Sequence, residues 1–306
     1  MRIISLLASA TEIVCALGIE NQLVGRAHEC DFPASIKKLP ICAELNFDAS
    51  GTSREIDENL KTHVKAGHDL YKVNTELIQK LNPELIITQS HCEVCAVSKK
   101  DLLKAFGKDL TARVQIVSLQ PNRLEDVWSG IREIAKAAQV ADNGEAVIKR
   151  LTERLNRIRE GTSDMALRPR VACIEWIEPM MCSGNWMPEL IDIAGGANLF
   201  GEAGKHSPLV SWKDLVKANP DFILVVPCGF EIKRTREEMS VLSSKPGWLS
   251  LDAVINNRVI LLDGNSYFNR PGPRLVDSTE MLAEIYHPEL FFYGYKDSGW
   301  EYYGIQ

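Results

Sequence analysis

Short apolar runs alternate along this chain with longer stretches in which apolar residues recur every three or four positions. The runs at residues 3–7, 85–87 and 222–226 are too short and too rich in β-branched side chains for helices, so we predict strands there. The longer stretches have the spacing of amphipathic helices. Strands that alternate with helices predict an α/β fold built on mainly parallel sheets.

The chain contains the same pattern twice. Residues 75–88 read TELIQKLNPELIIT and residues 213–226 read KDLVKANPDFILVV, each a helix, an Asn-Pro pair, an acidic residue and an apolar strand. Residues 11–18 (TEIVCALG) and 188–195 (PELIDIAG) form a second pair, each a helix that ends at glycine. Two copies predict two similar α/β lobes, and a cleft between two lobes is a common place for a ligand.

The longest helical pattern spans residues 124–159, with a candidate interruption at the Asp-Asn-Gly of residues 142–144. We therefore predict an N-terminal lobe at residues 1–121, a linking backbone helix at 122–165 and a C-terminal lobe at 166–306. The aromatic tail of the C-terminal lobe is expected to pack against the rest of that lobe.

The first helix has a recognisable start pattern. Ser9 is followed three residues later by Glu12, which is the spacing of a capping box. This pattern predicts that Ser9 caps the helix and that the helix stops near Gly18.

Composition and charge exclude some classes of function. The chain has 306 residues, 45% of them hydrophobic and 25% charged, as in globular proteins. The net charge is −6 and no basic run occurs, which argues against nucleic acid as a partner. No stretch approaches the roughly 20 apolar residues of a transmembrane helix, so no membrane span is predicted.

The first residues also bear on location. Arg2 is followed by IISLL and then by Ser9 and Thr11, an apolar run shorter than the core of a secretory signal peptide. We therefore expect a cytoplasmic location. The eight cysteines are then expected to be reduced.

Two loops carry residues that are common metal ligands. One contains His28 and Cys30, and the other contains His91, Cys92 and Cys95. Thiolates and imidazoles that converge at one edge of a sheet suit Zn²⁺ or another late first-row metal. Two alternatives stay open: the cysteines are small packing residues and the histidines bond to the backbone, or the two cysteines of the second loop form a redox pair.

Further candidates lie in the C-terminal lobe. Trp176 follows a strand and either stacks on a flat ligand or packs in the core, and Glu175 beside it reaches either the cleft or its rim. Trp186 opens a helix, which favours a core position. Arg270 lies in a loop stiffened by Pro and Gly, suited to a phosphate or carboxylate. Four cysteines are predicted to be packing residues: Cys15, Cys42, Cys173 and Cys182. Cys228 lies on a loop after a strand of the second lobe, where core packing is favoured over a position in the cleft.

The order of several motifs resembles a known family. S-x-T-E after the first strand, V-G-R-x-H-E-C-D-F-P, L-x-P-E-L-I-I, the long helical region and N-R-P-G-P-R occur in the order seen in iron-siderophore and vitamin B12 binding proteins. These are two-lobed, helical-backbone metal receptors that act as substrate-binding components of ABC importers. The resemblance implies a ligand in the interlobe cleft, an ABC permease as partner and no catalytic activity.

The resemblance also implies a ligand and its contacts. The ligand would be cobalamin, a related corrinoid or another small metal chelate. B12 binders line the cleft with aromatic rings, whereas this chain has polar residues in the first lobe and Ser207 where a Trp is expected. The implied ligand contacts are Glu29, Gln89, Trp176, Phe268 and Arg270.

Two hypotheses of function follow. The first is a chelate-binding protein of this family. The second is a cytosolic metal-binding protein or metalloenzyme that uses the Cys/His cluster, with Glu29 or Glu93 as general base. The chain has no Ser-His-Asp pattern, no phosphate-binding Gly-rich loop and no nucleotide fingerprint, so no reaction type is indicated and we predict a binding protein.

Overall fold

The computed structural model describes residues 1–90, 97–106 and 113–304. The chain folds into two compact units. Unit 1 comprises Met1–Gly51, Glu55–Pro121 and Glu125–Arg150, and unit 2 comprises Thr52–Arg54, Asn122–Leu124 and Leu151–Gln306. Each unit is built on its own sheet with helices between the strands, which confirms the prediction of two α/β lobes.

The structure describes the following α-helices. They are α1 (Ala8–Ala16), α2 (Ser53–Lys65), α3 (Thr75–Leu81), α4 (Lys99–Phe106), α5 (Leu124–Ala137), α6 (Ala141–Thr162), α7 (Met187–Ile193), α8 (Trp212–Ala218), α9 (Ile232–Glu238), α10 (Ser240–Ser243), α11 (Asp252–Ile255) and α12 (Leu275–Tyr286). Among these helices, none combines the length and the apolar character that crossing a bilayer requires.

The sheet of unit 1 has six strands in the order β4-β3-β2-β1-β5-β6. All neighbouring pairs are parallel except β3 with β4. The strands are β1 (Ile3–Ser5), β2 (Leu23–Ala27), β3 (Ile41–Leu45), β4 (Tyr71–Val73), β5 (Leu85–Gln89) and β6 (Gln115–Leu119). The order reverses at β1, which lies between β2 and β5, so the carboxyl ends of β1 and β5 form a switch point where ligands commonly bind.

The sheet of unit 2 follows the order β12-β11-β10-β7-β8, with β9 also paired to β7. Its strands are β7 (Arg170–Trp176), β8 (Met181–Cys182), β9 (Ala197–Asn198), β10 (Phe222–Val225), β11 (Val259–Leu262) and β12 (Trp300–Tyr302). β7, β10 and β11 are parallel, so their carboxyl ends share one edge. We call this edge the unit 2 rim.

The Asn-Pro pairs of the sequence repeat have the same structure in both units. α3 ends at Asn82 and α8 ends at Asn219, with left-handed φ values of 43° and 42°. Asparagine tolerates this conformation better than most residues, and the proline that follows cannot continue a helix. Each helix therefore stops at its Asn and leads into a buried strand, β5 or β10, as the repeat predicts.

The predicted capping box at the first helix is wrong. α1 begins at Ala8 after Leu7, and no side chain caps it. Ser9 therefore lies inside the first turn, where its Oγ is buried without a hydrogen-bond partner. The hydroxyl of Thr11 bonds instead to Ser5 Oγ at 2.8 Å. The strand enters the helix with no exposed turn between them, so the helix begins earlier than its polar residues indicate.

The predicted backbone helix is two helices, and the predicted break is misplaced. α5 and α6 are separated at residues 138–140, where Gln139 has a φ of 60°. The Asp-Asn-Gly sequence lies inside α6. There a Cβ on Gly144 would lie 2.7 Å from the Ala135 Cβ, and the Asn143 amide donates to Leu17 O at 2.9 Å. These residues serve close packing and a tertiary hydrogen bond rather than a turn.

The end of the aromatic tail packs against unit 2, as predicted, whereas Phe292 is 89% exposed. β12 pairs antiparallel with β11, and Trp300 is buried. The Glu284 carboxylate of α12 accepts hydrogen bonds from the backbone N–H groups of Tyr293 and Gly294, each at 2.9 Å. A carboxylate held by two amides fastens the chain that leads to β12.

Candidate functional site

The unit 2 rim brings together residues from the ends of β7 and β10. Glu175 and Trp176 are the last residues of β7, and Cys228 follows β10. The Cys228 N–H donates to Glu175 O at 3.2 Å, which joins the two strand ends through the backbone. Loops just past the carboxyl ends of parallel strands are the usual binding positions in α/β sheets, so this rim is the candidate site.

An aromatic pair lies at the rim. Trp176 is partly exposed, and its ring centroid lies 5.6 Å from that of the buried Phe230 in an edge-to-face arrangement. On Phe230 lies the Arg234 guanidinium, 3.8 Å from the ring centroid. Each such contact contributes on the order of 1 kcal/mol. The contacts hold the indole in place, and an immobilised indole suits a flat apolar ligand.

The residue before the indole in β7 is a hydrogen-bonded carboxyl, Glu175. The Ser207 hydroxyl is 3.0 Å from both carboxylate oxygens of Glu175, to which it donates. The same hydroxyl accepts a hydrogen bond from the Gly184 N–H at 3.0 Å. A Cβ on Gly184 would lie 2.3 Å from Lys205 O, so only glycine allows this approach of the two loops.

Burial changes the proton affinity of this carboxyl. Desolvation raises the pKa of Glu175 above its ordinary value. The hydrogen bonds from Ser207 and Ser183 and the nearby His206 act in the opposite direction and only partly offset it. An additional hydrogen-bond donor would therefore stabilise the charged form of Glu175.

The loop that carries Arg270 is fastened to the end of β10. The Asn269 amide donates to Val226 O at 3.1 Å. Gly264 lies so close to Pro227 O that a Cβ would be 2.2 Å away. Arg270 is buried, and its Nη2 donates to Asn265 Oδ1 at 3.2 Å. Arg270 therefore has a fixed position next to the rim, as its stiff loop predicts.

Two aromatic residues near this loop belong to the core. The Phe268 side chain is fully buried, and its carbonyl accepts a hydrogen bond from Trp186 Nε1 at 2.9 Å. The core position predicted for Trp186 is confirmed. Contact with a ligand would require an exposed ring at Phe268, so the structure gives this residue a packing role.

The candidate ligand contacts of unit 1 differ in exposure. The Glu29 side chain is 40% exposed, and Glu29 Oε1 lies 3.8 Å from His28 Nε2. Burial lowers the pKa of His28, which favours the neutral imidazole. Gln89 ends β5 and is buried. Contacts of Glu29 and Gln89 with a ligand stay a prediction.

The predicted metal site is only partly within the described residues. Cys30 is buried, and its thiol donates to Ser5 O at 3.7 Å. His91, Cys92 and Cys95 lie outside the described residues. Over residues 1–90, 97–106 and 113–304, no three His, Cys, Asp or Glu side chains are grouped closely enough to hold a metal ion. Metal binding by His28 and Cys30 with the second loop stays a prediction.

The other cysteines divide into buried and exposed residues. Cys42, Cys173 and Cys182 are buried, as predicted, and burial raises the pKa of Cys42 to about 11 and that of Cys182 to about 12. Cys15 is partly buried, with its pKa raised to about 12 by burial and by the charges of nearby glutamates. Cys228 is exposed, which contradicts the core packing favoured for it, and its alternative position in the cleft stays a prediction.

The sequence did not point to two features of the rim. The serine–carboxyl bond joins Ser207 and Glu175, which are far apart in the chain. Phe230 and Arg234 are four residues apart, but Phe230 precedes α9, so the helical spacing rule does not apply to this pair. Neither feature has a local signal in the sequence.

Comparisons with known proteins agree with this architecture. The model of the periplasmic binding protein family matches residues 3–265. The substrate-binding lipoprotein YvrC of an ABC transporter of Bacillus subtilis is 24% identical over 297 residues, covering 95% of this chain and 81% of that protein. The vitamin B12-binding protein of Vibrio cholerae is 24% identical over 287 residues, covering 92% of this chain and 87% of that protein.

A solved structure shows the same fold. The periplasmic heme-binding protein RhuT from Roseiflexus sp., in its apo form, superimposes with a TM-score of 0.69 at 20% identity, covering 94% of this chain and 98% of that one. The family model spans most of the chain, including both sheets up to the loop after β11. The chain therefore belongs to the periplasmic binding protein family.

Proposed function

We propose that this protein is the substrate-binding component of an ABC importer and that its ligand is a corrinoid, such as cobalamin. The observation that carries the proposal is the family match over residues 3–265. The names of the relatives give the class of ligand, since one binds vitamin B12 and a structural neighbour binds heme. Both ligands are flat tetrapyrrole metal chelates.

The geometry of the unit 2 rim supports a flat ligand. Trp176 offers a partly exposed indole whose edge is held against Phe230. Arg270 lies beside the rim in a loop that the Asn269 side chain fastens to Val226 O, and its guanidinium donates to Asn265 Oδ1, so little side-chain entropy remains to be lost on binding. An aromatic face with hydrogen-bonding groups around it is a suitable surface for a corrin ring.

An ABC permease is the proposed partner. YvrC, which aligns with 95% of this chain, is named as a substrate-binding lipoprotein of an ABC transporter. Co-purification of the tagged protein with a membrane permease, strengthened by ligand, is the expected result. The cytoplasmic location expected from the sequence stays a prediction, which fractionation of cells that express the tagged chain tests.

The first experiment is a titration of the reduced protein with hydroxocobalamin, followed by visible absorbance and by calorimetry. Saturable binding supports the proposal. A spectral shift on binding would in addition show that a His or Cys side chain ligates the cobalt. Absence of saturable binding would overturn the corrinoid assignment.

Variants locate the binding surface. Trp176→Ala is expected to weaken binding by about tenfold, since a stacked aromatic contact contributes on the order of 1 kcal/mol beyond the apolar area it buries. Arg270→Ala is expected to weaken it as well. Trp212→Ala is the matched control, because this indole stacks on Trp248 and donates to Pro246 O. Unchanged affinity in both rim variants would exclude this surface.

A further inference from the structure

Glu175 is a partly buried carboxyl at the rim that the proposed function leaves without a role. Glu175 and Trp176 are the last two residues of β7. Their side chains leave opposite faces of the strand, but both start at the sheet edge where a ligand would bind. The Glu175 side chain is held by Ser207 from a loop more than thirty positions later in the chain. A carboxyl fixed in this way has a defined direction at the rim.

We propose that Glu175 accepts hydrogen bonds from carboxamide side chains of the ligand, and that it thereby selects an amide-bearing corrinoid over a carboxylate-bearing tetrapyrrole. The inference rests on the proposed function, since it assigns specificity to the same surface. Corrinoids such as cobalamin carry carboxamides around the ring, whereas heme carries two carboxylates.

The hydrogen-bond capacity of the carboxyl supports an additional donor. Ser207 has a single hydroxyl proton, and it donates that proton to Glu175 while its oxygen accepts from the Gly184 N–H. A carboxylate has about four acceptor positions. Ser207 and Ser183 together supply at most two protons, so acceptor positions on Glu175 remain for N–H donors of a ligand.

The Glu175 carboxyl favours a neutral hydrogen-bond donor on the ligand over a ligand carboxylate. Desolvation opposes the charge of Glu175. A ligand carboxylate placed against Glu175 would have to share a proton with it, because two carboxylates in contact cannot both ionise without cost. An amide donates to the carboxyl in either protonation state and needs no proton uptake.

A matched pair of ligands isolates this chemistry. Cobyrinic acid and its heptaamide share the corrin ring and differ only in whether the side chains end in carboxylates or carboxamides. Calorimetric titration of both compounds gives the ratio of their two dissociation constants for each protein variant. For the wild-type protein we expect the heptaamide to bind at least about tenfold more tightly, as one hydrogen bond to a charged acceptor implies.

The decisive variant is Glu175→Gln. Glutamine has the same shape, but its NH₂ group donates to a ligand carboxylate, so the preference for the heptaamide is expected to shrink by about tenfold. Glu202→Gln is the matched control, because it removes the same charge from an exposed residue of unit 2 that pairs with Lys205. Its ratio is expected to equal that of the wild type.

The outcomes separate the two proposals. Binding of both corrinoids with a ratio that Glu175→Gln leaves unchanged overturns the role of Glu175 and leaves the proposed function intact. No saturable binding of either compound overturns the proposed function and this inference with it. If Glu175→Gln does not fold, Ser207→Ala replaces it: the carboxyl loses the donor that orients it, and an unchanged ratio in this variant also contradicts the proposal.

Discussion

Glu175 combines an ionisable group with surroundings that oppose its charge. Because burial raises its pKa in the folded protein, the folded state holds this proton more tightly than the unfolded state does. The protonated Glu175 therefore contributes its full stabilisation at pH values below the pKa that it has in the unfolded state. This contribution is lost as the pH rises through the pKa that Glu175 has in the folded state. Glu175 therefore makes the stability of the folded protein depend on pH.

We predict that Glu175→Gln flattens this dependence. The free energy of unfolding of the variant, minus that of the wild type, should be larger at about pH 8 than at about pH 5, because glutamine never ionises. Denaturant unfolding at the two pH values measures the difference. Glu202→Gln, on the exposed surface, should show no such change, and an equal difference at both pH values for Glu175→Gln would contradict the prediction.

Phe268 tests the distinction between packing and ligand contact. Its ring is fully buried, so Phe268→Ala should lower the free energy of unfolding by about 3–5 kcal/mol through lost burial and a cavity. Denaturant unfolding gives this value. Phe268→Leu, which keeps most of the volume, should retain the ligand affinity of the wild type. A marked loss of affinity in this folded variant would restore the ligand-contact role.

At the scale of elements, the two Asn-Pro junctions give a matched pair of sites. Asn82 and Asn219 both adopt left-handed φ values. We predict that Asn82→Val costs about 1–2 kcal/mol of unfolding free energy, since a β-branched residue is strained there, whereas Asn82→Gly changes it little. Asn219→Gly should cost more than Asn82→Gly, because the Asn219 side chain also exchanges two hydrogen bonds with Asp252. Thermal and denaturant unfolding measure both. If Val and Gly lowered the free energy of unfolding equally, the loss would come from the side-chain contacts of the asparagine and not from its backbone conformation.

The pairing of α6 with α12 depends on a partly buried charge cluster. Arg154 Nη2 lies 2.6 Å from Asp277 Oδ1 and 2.5 Å from Glu280 Oε2. Without the Arg154 guanidinium, the negative charges of Asp277 and Glu280 are no longer balanced. Arg154→Met should therefore lower the free energy of unfolding by about 3 kcal/mol. Arg132→Met, which breaks the exposed pair with Glu145, should cost at most about 1 kcal/mol. Similar losses in both variants, measured by denaturant unfolding, would contradict this ranking.

At the scale of the whole molecule, ligand binding should stabilise the native protein. A ligand that binds only the folded state adds about 2.7 kcal/mol to the free energy of unfolding at about 100 times its dissociation constant. We predict that hydroxocobalamin raises the midpoint of thermal unfolding of the wild type, and raises that of Trp176→Ala less at the same concentration. An equal shift in Trp176→Ala would indicate that the ligand binds elsewhere.

The family fold explains why the chemistry lies at sheet edges. In each unit, parallel strands end along one edge, and the loops that follow them carry the side chains able to meet a ligand. In unit 2 this edge holds an indole, a carboxyl and an arginine on a stiff loop. The scaffold is shared with binding proteins for different chelates, so the loop residues decide the ligand.

The sequence alone determined the features that depend on neighbouring residues. The alternation of apolar runs with helical spacing predicted two α/β units, and the Asn-Pro repeat predicted how a helix ends in each of them. The buried position of Trp186 and the fixed loop around Arg270 were also predicted. These features follow from backbone conformation and periodicity, which a residue and its nearest neighbours largely set.

Only the tertiary structure decided the features that depend on distant residues. Ser9 lies inside the first turn of α1, and the glycine at 144 packs against Ala135 instead of breaking a helix. Cys228 is exposed and Phe268 is buried because of how the chain folds around β10 and the loop after β11. The bond between Ser207 and Glu175 joins two loops through contacts that no local pattern encodes, since burial and hydrogen bonding are settled only when distant segments meet.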